Sequence, residues 1–249
     1  TPAAMLVLGG GESANDNLLR GATREASWLA ARFRETEWRV VDSTRVAFGR
    51  QELADFGVLH FAGHTRADDQ HPWRSGILIR SGSTQQPALE LAAQDIATQP
   101  MTAQLVVLSS CESGAGRATS GEGLAGLSTA FLAAGARTVV ASLWPVEDNV
   151  TAHLMQEFYR RLARGDTAGE ALRAAQERLR RDPRTAHPFH WAGFVITGEA
   201  LARPRLRSVT FPRDQWPVYL LGVCLLLTIL SAALGIRAAR RSNSSRTGV

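Results

Sequence analysis

The sequence predicts an α/β fold, a three-layer sandwich in which a mostly parallel sheet is flanked by helices, followed by one C-terminal transmembrane helix. Short apolar runs at residues 58–62, 105–108 and 138–143 have the length and continuous hydrophobicity of strands buried on both faces. Segments with helical spacing alternate with these runs, as is typical of a parallel sheet covered by helices. Residues 218–236 contain no charged side chain, which is typical of a membrane span.

The first half of the chain predicts three strands, one long helix and one short helix. Gly9–Gly11 follow the first strand and lack the Gly-x-Gly-x-x-Gly spacing of a dinucleotide loop, so they indicate a tight turn from strand to helix. In residues 23–34, apolar side chains recur at helical spacing, which predicts one face packed on the sheet. The predicted elements are a strand at 4–8, a helix at 23–34, a strand at 38–42, a short helix at 51–55 and a strand at 57–62.

The second half predicts further strands and helices with clear end signals. Gly135 and Gly165 are typical of helix C-termini, and Asp148 or Asn149 is expected to cap the helix between them. Thr167 and Glu170 form the capping-box pattern of the next helix, which Pro183 terminates. The predicted elements are a polar loop at 65–75, a short strand or hairpin arm at 76–79, turns at 81–87, a helix at 92–98, a strand from 105, a glycine and serine loop at 114–123, helices at 124–134, 149–164 and 168–182, and strands at 138–143 and 191–196.

Four parts are expected along the chain: a folded domain at 1–200, a linker rich in arginine and proline at 201–215, a transmembrane helix at 216–236 and a short basic tail at 237–249. Because the chain begins at Thr1 and shows no signal-peptide pattern, we expect it to be part of something longer, with a regulatory partner or an N-terminal sensor region.

The composition excludes several chemistries. All 28 basic residues are arginine, which rules out a phosphate loop ending in Gly-Lys, a Schiff-base lysine and a Ser-Lys dyad. The arginines are scattered and form no aromatic-interleaved patch, so no nucleic-acid partner is expected. Cys111 and Cys224 are the two cysteines, and the second lies in the apolar tail, so a disulfide between them is not expected.

The apolar tail segment predicts a lipid bilayer as a partner. Residues 218–236 would span about 28 Å as a helix, close to the roughly 30 Å of a hydrocarbon core. Trp216 and Tyr219 stand at one end, where interfacial aromatics belong, and arginines follow the other end. A buried core helix would show a polar face, and this segment has none. The number of arginines is the same before and after the segment, so the arginines do not determine its orientation. We expect a single-pass membrane protein with its folded domain on the cytoplasmic side.

His64 and Cys111 each follow a buried apolar run. In a parallel sheet, reactive groups collect beyond the carboxyl ends of the strands, so neighbouring runs would bring the imidazole and the thiol to one edge. This pairing is typical of a cysteine nucleophile and its general base. From the residues alone, Cys111 is also compatible with a small buried side chain and His64 with a loop histidine. A zinc site at His60 and His64 is a further alternative, although their spacing suits a helix better than a strand.

Two motifs add a family resemblance. His60-Phe61-Ala62-Gly63-His64 and the segment VLSSCESG at 107–114 resemble the signature motifs of CHAT domains, which are caspase- and separase-like cysteine peptidases with the caspase–haemoglobinase fold. The resemblance continues through SLWPVED at 142–148, Phe158-Tyr159, GEAL at 169–172 and HPFHWAGF at 187–194. It covers about residues 4–200 in family order.

The resemblance implies a role for each site residue. His64 would be the general base and acid and Cys111 the nucleophile, with no metal and no cofactor. The oxyanion hole would consist of backbone N–H groups of Cys111 and of the residue at or next to Gly63, which includes Thr65. Glu112 and Asp148 would line a substrate pocket that favours a basic P1 residue, by charge complementarity. Alternatively, Glu112 is a helix-dipole partner and Asp148 a helix cap.

The predicted function is therefore a membrane-anchored, caspase-like cysteine endopeptidase that cleaves a protein substrate, in bacterial defence or stress signalling as the resemblance implies. The alternative is a catalytically inactive, membrane-tethered CHAT-like domain that acts as an interaction scaffold. Thr65 favours this alternative, because the family pattern has glycine after the histidine.

Overall fold

The computed structural model describes residues 4–11, 20–41, 50–80, 87–109 and 122–208, which belong to one compact unit. The strands in these ranges are β1 (Met5–Gly11), β2 (Thr36–Val41), β3 (Val58–Ala62), β4 (Thr65–Arg66), β5 (Gly76–Arg80), β6 (Leu89–Ala92), β7 (Leu105–Leu108), β8 (Thr138–Ser142) and β9 (Phe194–Gly198). The α-helices are α1 (Arg20–Arg32), α2 (Ala93–Ala97), α3 (Glu122–Ala133), α4 (Asp148–Leu162) and α5 (Ala168–Arg181). Short 3₁₀ helices occupy Arg50–Asp55, Pro72–Arg74 and Pro188–His190.

The larger sheet has six strands in the order β2-β1-β3-β7-β8-β9. Its first five strands are parallel, and β9 pairs antiparallel with β8. A smaller antiparallel sheet has the order β4-β5-β6. The prediction of a mostly parallel sheet flanked by helices is confirmed.

Helices cover both faces of the larger sheet. On one face, alternate residues such as Val58 and Val107 pack with α1, α4 and α5. On the other face, Leu59 and Phe61 pack with α2, α3 and the smaller sheet. The continuous apolar runs follow from this arrangement, since every residue of β3, β7 and β8 is buried.

The glycines at the end of β1 are part of the strand, so the predicted turn at Gly9–Gly11 is wrong. The strand continues to Gly11, with an irregularity in its register after Leu8. A Cβ at Gly9 would lie 2.6 Å from the Cβ of Ala26, so the glycine allows α1 to pack closely on the strand.

Other local predictions also differ from the structure. The last strand is Phe194–Gly198 instead of 191–196, because a 3₁₀ turn precedes it. Strands β4 and β6 were not predicted, and β4 lies in the segment 65–75 that was predicted to be a polar loop. The N-cap of α4 is Glu147, which makes no side-chain capping bond, while Asp148 lies in the first turn. The capping box at Thr167 is confirmed, with both reciprocal hydrogen bonds present.

Residues 201–208 lie against the domain: the backbone N–H of Arg34 donates to the carbonyl of Arg207 at 2.7 Å, and Ala202 is buried. In the ranges that the structure describes, no helix combines the length and the hydrophobicity that a bilayer crossing needs. The predicted span at 216–236 and the tail at 237–249 lie outside those ranges.

Candidate active site

Strands β3 and β7 are neighbours in the larger sheet, as the site prediction requires. They pair in parallel, with His60 opposite Val107 and Phe61 opposite Leu108. The backbone N–H of Ser109 continues the pairing by donating to the carbonyl of Phe61 at 3.0 Å. His64 follows β3 at the carboxyl edge, while Cys111 and Glu112 lie outside the described residues. The edge predicted for the catalytic pair therefore exists, and His64 is at it.

His64 connects the two sheets. It stands between β3 of the larger sheet and β4 of the smaller one, and its carbonyl accepts a hydrogen bond from the N–H of Leu78 at 2.9 Å. The side chain is half-buried. Burial lowers the pKa of the His64 imidazole, and the negative charge of Asp148 opposes this shift. A lowered pKa keeps the imidazole neutral near pH 7, which is the form that accepts a proton.

The two backbone positions around His64 differ in their surroundings. Gly63 is buried, and among the described residues no atom would lie within 4 Å of a Cβ added to it. Thr65 is buried, with 3% of its surface exposed, and pairs with Ile77 in the smaller sheet. The Thr65 side chain is thus part of the packing between β4 and its neighbour.

Asp148 is close enough to His64 to affect its pKa, and it also contacts α1. Its carboxylate accepts a hydrogen bond from the backbone N–H of Gly21 in the first turn of α1. A helix N-terminus favours a carboxylate at this position. Beside it, Arg24 donates to the side chain of Asn149 at 2.9 Å. Asp148 is therefore held by α1, and sequence reasoning missed Gly21 as the residue that permits this contact.

The loop after β8 forms the next part of the carboxyl edge. The Trp144 indole N–H donates to the carbonyl of Phe189 at 2.9 Å, and the two rings stack with centroids 6.2 Å apart. Ser142 Oγ donates to the carbonyl of Trp144 at 2.7 Å. Phe189 and Leu143 are partly exposed to solvent, at 49% and 38% of their surfaces. This loop presents an ordered apolar surface at the same edge as His64.

His60 lies in β3 and is fully buried in the core. Its Nδ1 lies 3.0 Å from the Tyr159 hydroxyl, and its Nε2 lies 2.7 Å from Glu25 Oε1. The second contact has the distance of an ion pair but not the angle of a hydrogen bond. Because both nitrogens face these partners, His60 is not available for the zinc site considered above.

Glu25 and Tyr159 were not predicted to take part in a polar cluster. The signal for Glu25 is its position among Ala22, Ala26 and Leu29, all on the buried face of α1 at helical spacing. Tyr159 follows Phe158 in α4 and gives no separate signal of a polar contact.

A cavity of about 390 Å³ lies at the opposite edge of the sheet, lined by residues that precede β7 and β8 and follow β9. It is separate from the edge that bears His64. Among the described residues, no group of three or more histidine, cysteine, aspartate or glutamate side chains has the arrangement of a metal site.

The chain matches the CHAT domain family over residues 2–199. It is 38% identical to tetratricopeptide repeat protein 28 of Mus musculus and 36% identical to that of Homo sapiens, in each case over 110 residues, or 44% of this chain. Those residues span only 4% of each relative. In a crystal structure of the Saccharomyces cerevisiae separase–securin complex, one chain is similar with a TM-score of 0.50 and 15% identity, covering 79% of this chain and 12% of that one.

The fold is a mixed α/β domain with a mostly parallel sheet flanked by helices, and it is similar to the fold of separase. Since the family match covers most of its length, the chain belongs to the CHAT domain family.

Proposed function

We propose that the chain is a membrane-anchored cysteine endopeptidase in which Cys111 is the nucleophile and His64 the general base. The parallel register of β3 and β7 carries the proposal. His64 follows Phe61 by three residues, and Cys111 follows its register partner Leu108 by three residues. Because each residue follows a paired position by the same number of residues, the thiol and the imidazole would come to the same edge of the sheet.

In the proposed reaction, neutral His64 takes the proton of the Cys111 thiol, and the thiolate attacks the carbonyl carbon of the scissile peptide bond. The resulting oxyanion is stabilised by backbone N–H groups of Cys111 and of Gly63 or Thr65. The imidazolium then donates its proton to the leaving amine, and a thioester remains on Cys111. Water attacks the thioester, releases the acid product and restores the thiol.

Asp148 contributes to this reaction through its charge. A carboxylate near the imidazole stabilises the imidazolium formed when the thiol loses its proton. Together with Glu112, it would also favour a substrate with a basic P1 residue, by charge complementarity.

The proposed activity is tested by substrate profiling with a peptide library and the full-length protein. Cys111→Ala and His64→Ala should each abolish cleavage, whereas Cys224→Ala, the control for loss of a thiol, should leave it unchanged. Peptides with arginine or lysine at P1 should be preferred, and Asp148→Asn should reduce this preference. Cleavage that persists in both dyad variants would show that the assigned residues are wrong.

A second candidate function is an inactive interaction scaffold, and the buried side chain of Thr65 favours it, because the family pattern has glycine there. A Cβ at this position restricts the backbone torsions of the residue next to His64, which would have to aim an N–H at the oxyanion. The two functions separate in a Thr65→Gly variant. A peptidase hindered by Thr65 gains cleavage activity from the substitution. A scaffold still cleaves no peptide, and its Cys111 thiol stays unmodified when peptide inhibitors that acylate a cysteine nucleophile are added.

We further propose that residues 216–236 anchor the protein in a bilayer by a single pass, with the folded domain on the cytoplasmic side. There the domain would cleave a protein substrate in defence or stress signalling, under the control of a regulatory partner or a sensor region. The double substitution Leu226→Arg and Leu230→Arg places two charges near the centre of the segment, each costing roughly 2.5–3.5 kcal/mol on insertion. The variant should move from the membrane fraction to the soluble fraction, whereas Leu226→Ile and Leu230→Ile should remain with the membrane. Unchanged partition of the arginine variant would contradict the anchor.

A further inference from the structure

Four polar side chains from four different elements meet beneath the site edge. They are Glu25 of α1, His60 of β3, Tyr159 of α4 and Ser109, which directly follows β7. All four are buried, with 1%, 0%, 0% and 5% of their surfaces exposed. We name them the His60 network. Side chains of the apolar core, such as Phe33 and Phe158, surround Tyr159.

The distances place all four side chains in direct polar contact. Burial and the charge of Glu25 raise the pKa of Tyr159 far above its ordinary value, so its hydroxyl keeps its proton and lies 3.0 Å from His60 Nδ1. His60 Nε2 faces Glu25 Oε1 at 2.7 Å and Ser109 Oγ at 3.3 Å. Ser109 Oγ donates in turn to the carbonyl of Phe61 at 3.4 Å.

The network links the ends of the two strands that carry the site motifs. His60 precedes His64 by four residues in β3, and Ser109 precedes Cys111 by two residues after β7. The bond from Ser109 Oγ to Phe61 crosses between these strands at the last pair before the edge. Tyr159 and Glu25 hold His60 from two helices, so the strand ends are tied to each other and to the helical layer.

Stability alone does not account for this arrangement. A buried polar or ionic set is often no more stable than apolar side chains of similar volume. Such a network does, however, restrict the geometry of the groups attached to it.

We propose that the His60 network is a positioning device that sets the spacing between the His64 imidazole and the Cys111 thiol. This inference rests on the proposed function. Its members are positioning residues, because they act through the strand ends. A displacement of about 1 Å in a reacting group can reduce a rate about 100-fold, so the smaller shifts after loss of one hydrogen bond should reduce kcat roughly 10-fold.

The test uses the full-length protein and two variants that each remove one hydroxyl. Tyr159→Phe keeps the ring and its packing, and Ser109→Ala keeps nearly the same volume. The control is Leu162→Ala, which opens a cavity in the same core on α4 and removes no hydrogen-bonding group of the network. Each protein is compared for kcat and KM, for the rate of Cys111 alkylation by iodoacetamide relative to Cys224, and for its melting temperature.

The expected result is a kcat lowered roughly 10-fold in Tyr159→Phe and Ser109→Ala with KM changed less than about twofold, and a slower alkylation of Cys111. Leu162→Ala should have the lowest melting temperature but an unchanged kcat per folded molecule. If the network had only a structural role, kcat and melting temperature would fall together in all three variants.

Two failures are distinguishable. If the parent protein cleaves peptides or shows a fast-reacting Cys111, and both hydroxyl variants match it, the positioning role is wrong and the proposed peptidase stands. The same conclusion follows if kcat declines in all three variants in proportion to melting temperature. If the parent protein neither cleaves nor shows a reactive Cys111, the proposed function and the positioning role are both overturned.

Discussion

Substitution of Gly21 by alanine tests how α1 holds Asp148 beside His64. A Cβ at Gly21 would lie 2.5 Å from the backbone oxygen of Asp148 and 2.6 Å from its Oδ1. Ordinary contacts of this kind begin near 3.4 Å, so α1 and α4 must separate by about 1 Å. Rotation of the Asp148 side chain cannot relieve the clash, because one of the contacting atoms belongs to the backbone.

The expected loss of stability follows from three contributions. Overpacking of this size costs about 1–3 kcal/mol. Loss of the hydrogen bond from the Gly21 N–H to a carboxylate costs about 1.5–3 kcal/mol more. Replacing glycine by alanine in a helix returns up to about 1 kcal/mol. The free energy of unfolding should therefore fall by about 1.5–6 kcal/mol.

Urea unfolding of Gly21→Ala measures this loss as a lower midpoint with an unchanged m-value. Thr23→Ala is the matched control, since Thr23 is exposed in the same turn of α1 and its substitution should leave stability unchanged or slightly raised. If Gly21→Ala is as stable as this control, the close approach between the helices does not have the energetic role we assign to it.

Two further predictions concern a helix cap and the histidine. Thr167→Ala removes the capping box of α5 and should lower the free energy of unfolding, measured by urea denaturation, by about 1 kcal/mol. Thr129→Ala on the exposed face of α3 is the control and should change this free energy by less than about half as much. Equal effects of the two substitutions would contradict the role of the cap. In a Cys111→Ala background, NMR titration of His64 should give a pKa below the usual value of about 6.5, because burial disfavours the imidazolium. Asp148→Asn should lower this pKa further, since the carboxylate charge that raises it is removed; a pKa that rises or stays constant would show that this charge does not act on the imidazole.

The strands that carry the site were predictable because they are buried on both faces. Such strands are continuous apolar runs, and Val58–Ala62 and Leu105–Leu108 meet this description without interruption. The site prediction had adjacency of the two strands as its condition, and their parallel pairing in the structure meets that condition. Cys111 and the membrane segment lie outside the described residues and stay predictions.

The elements that were missed or shifted have weaker local signals. Strand β6 is short and half-exposed, with Leu89 at the surface, so its residues show neither a continuous apolar run nor a clear alternation. The aromatic residues before β9 resemble strand residues in composition. In the structure, Trp191 instead donates its indole N–H to the carbonyl of Ala186 at 3.2 Å, and the strand begins after it.

The contacts of Gly21, Glu25 and Tyr159 could not be predicted because they join elements distant in the chain. Gly21 and Asp148 are 127 residues apart, and His60 and Tyr159 are 99 residues apart. Helical spacing places Glu25 on the buried face of α1, but it does not name the partner that compensates a carboxylate there. That partner depends on how α1 packs on β3, which is a tertiary property.

The buried polar set around His60 has a practical consequence for anyone who evolves this protein in the laboratory. A selection for heat resistance alone rewards leucine, methionine or phenylalanine at such positions, because apolar replacements of a buried charged set are commonly neutral or favourable for folding. Libraries should therefore leave Glu25, His60, Ser109 and Tyr159 unchanged, and thermotolerant clones that lose them should be screened for turnover before they are adopted as improved scaffolds.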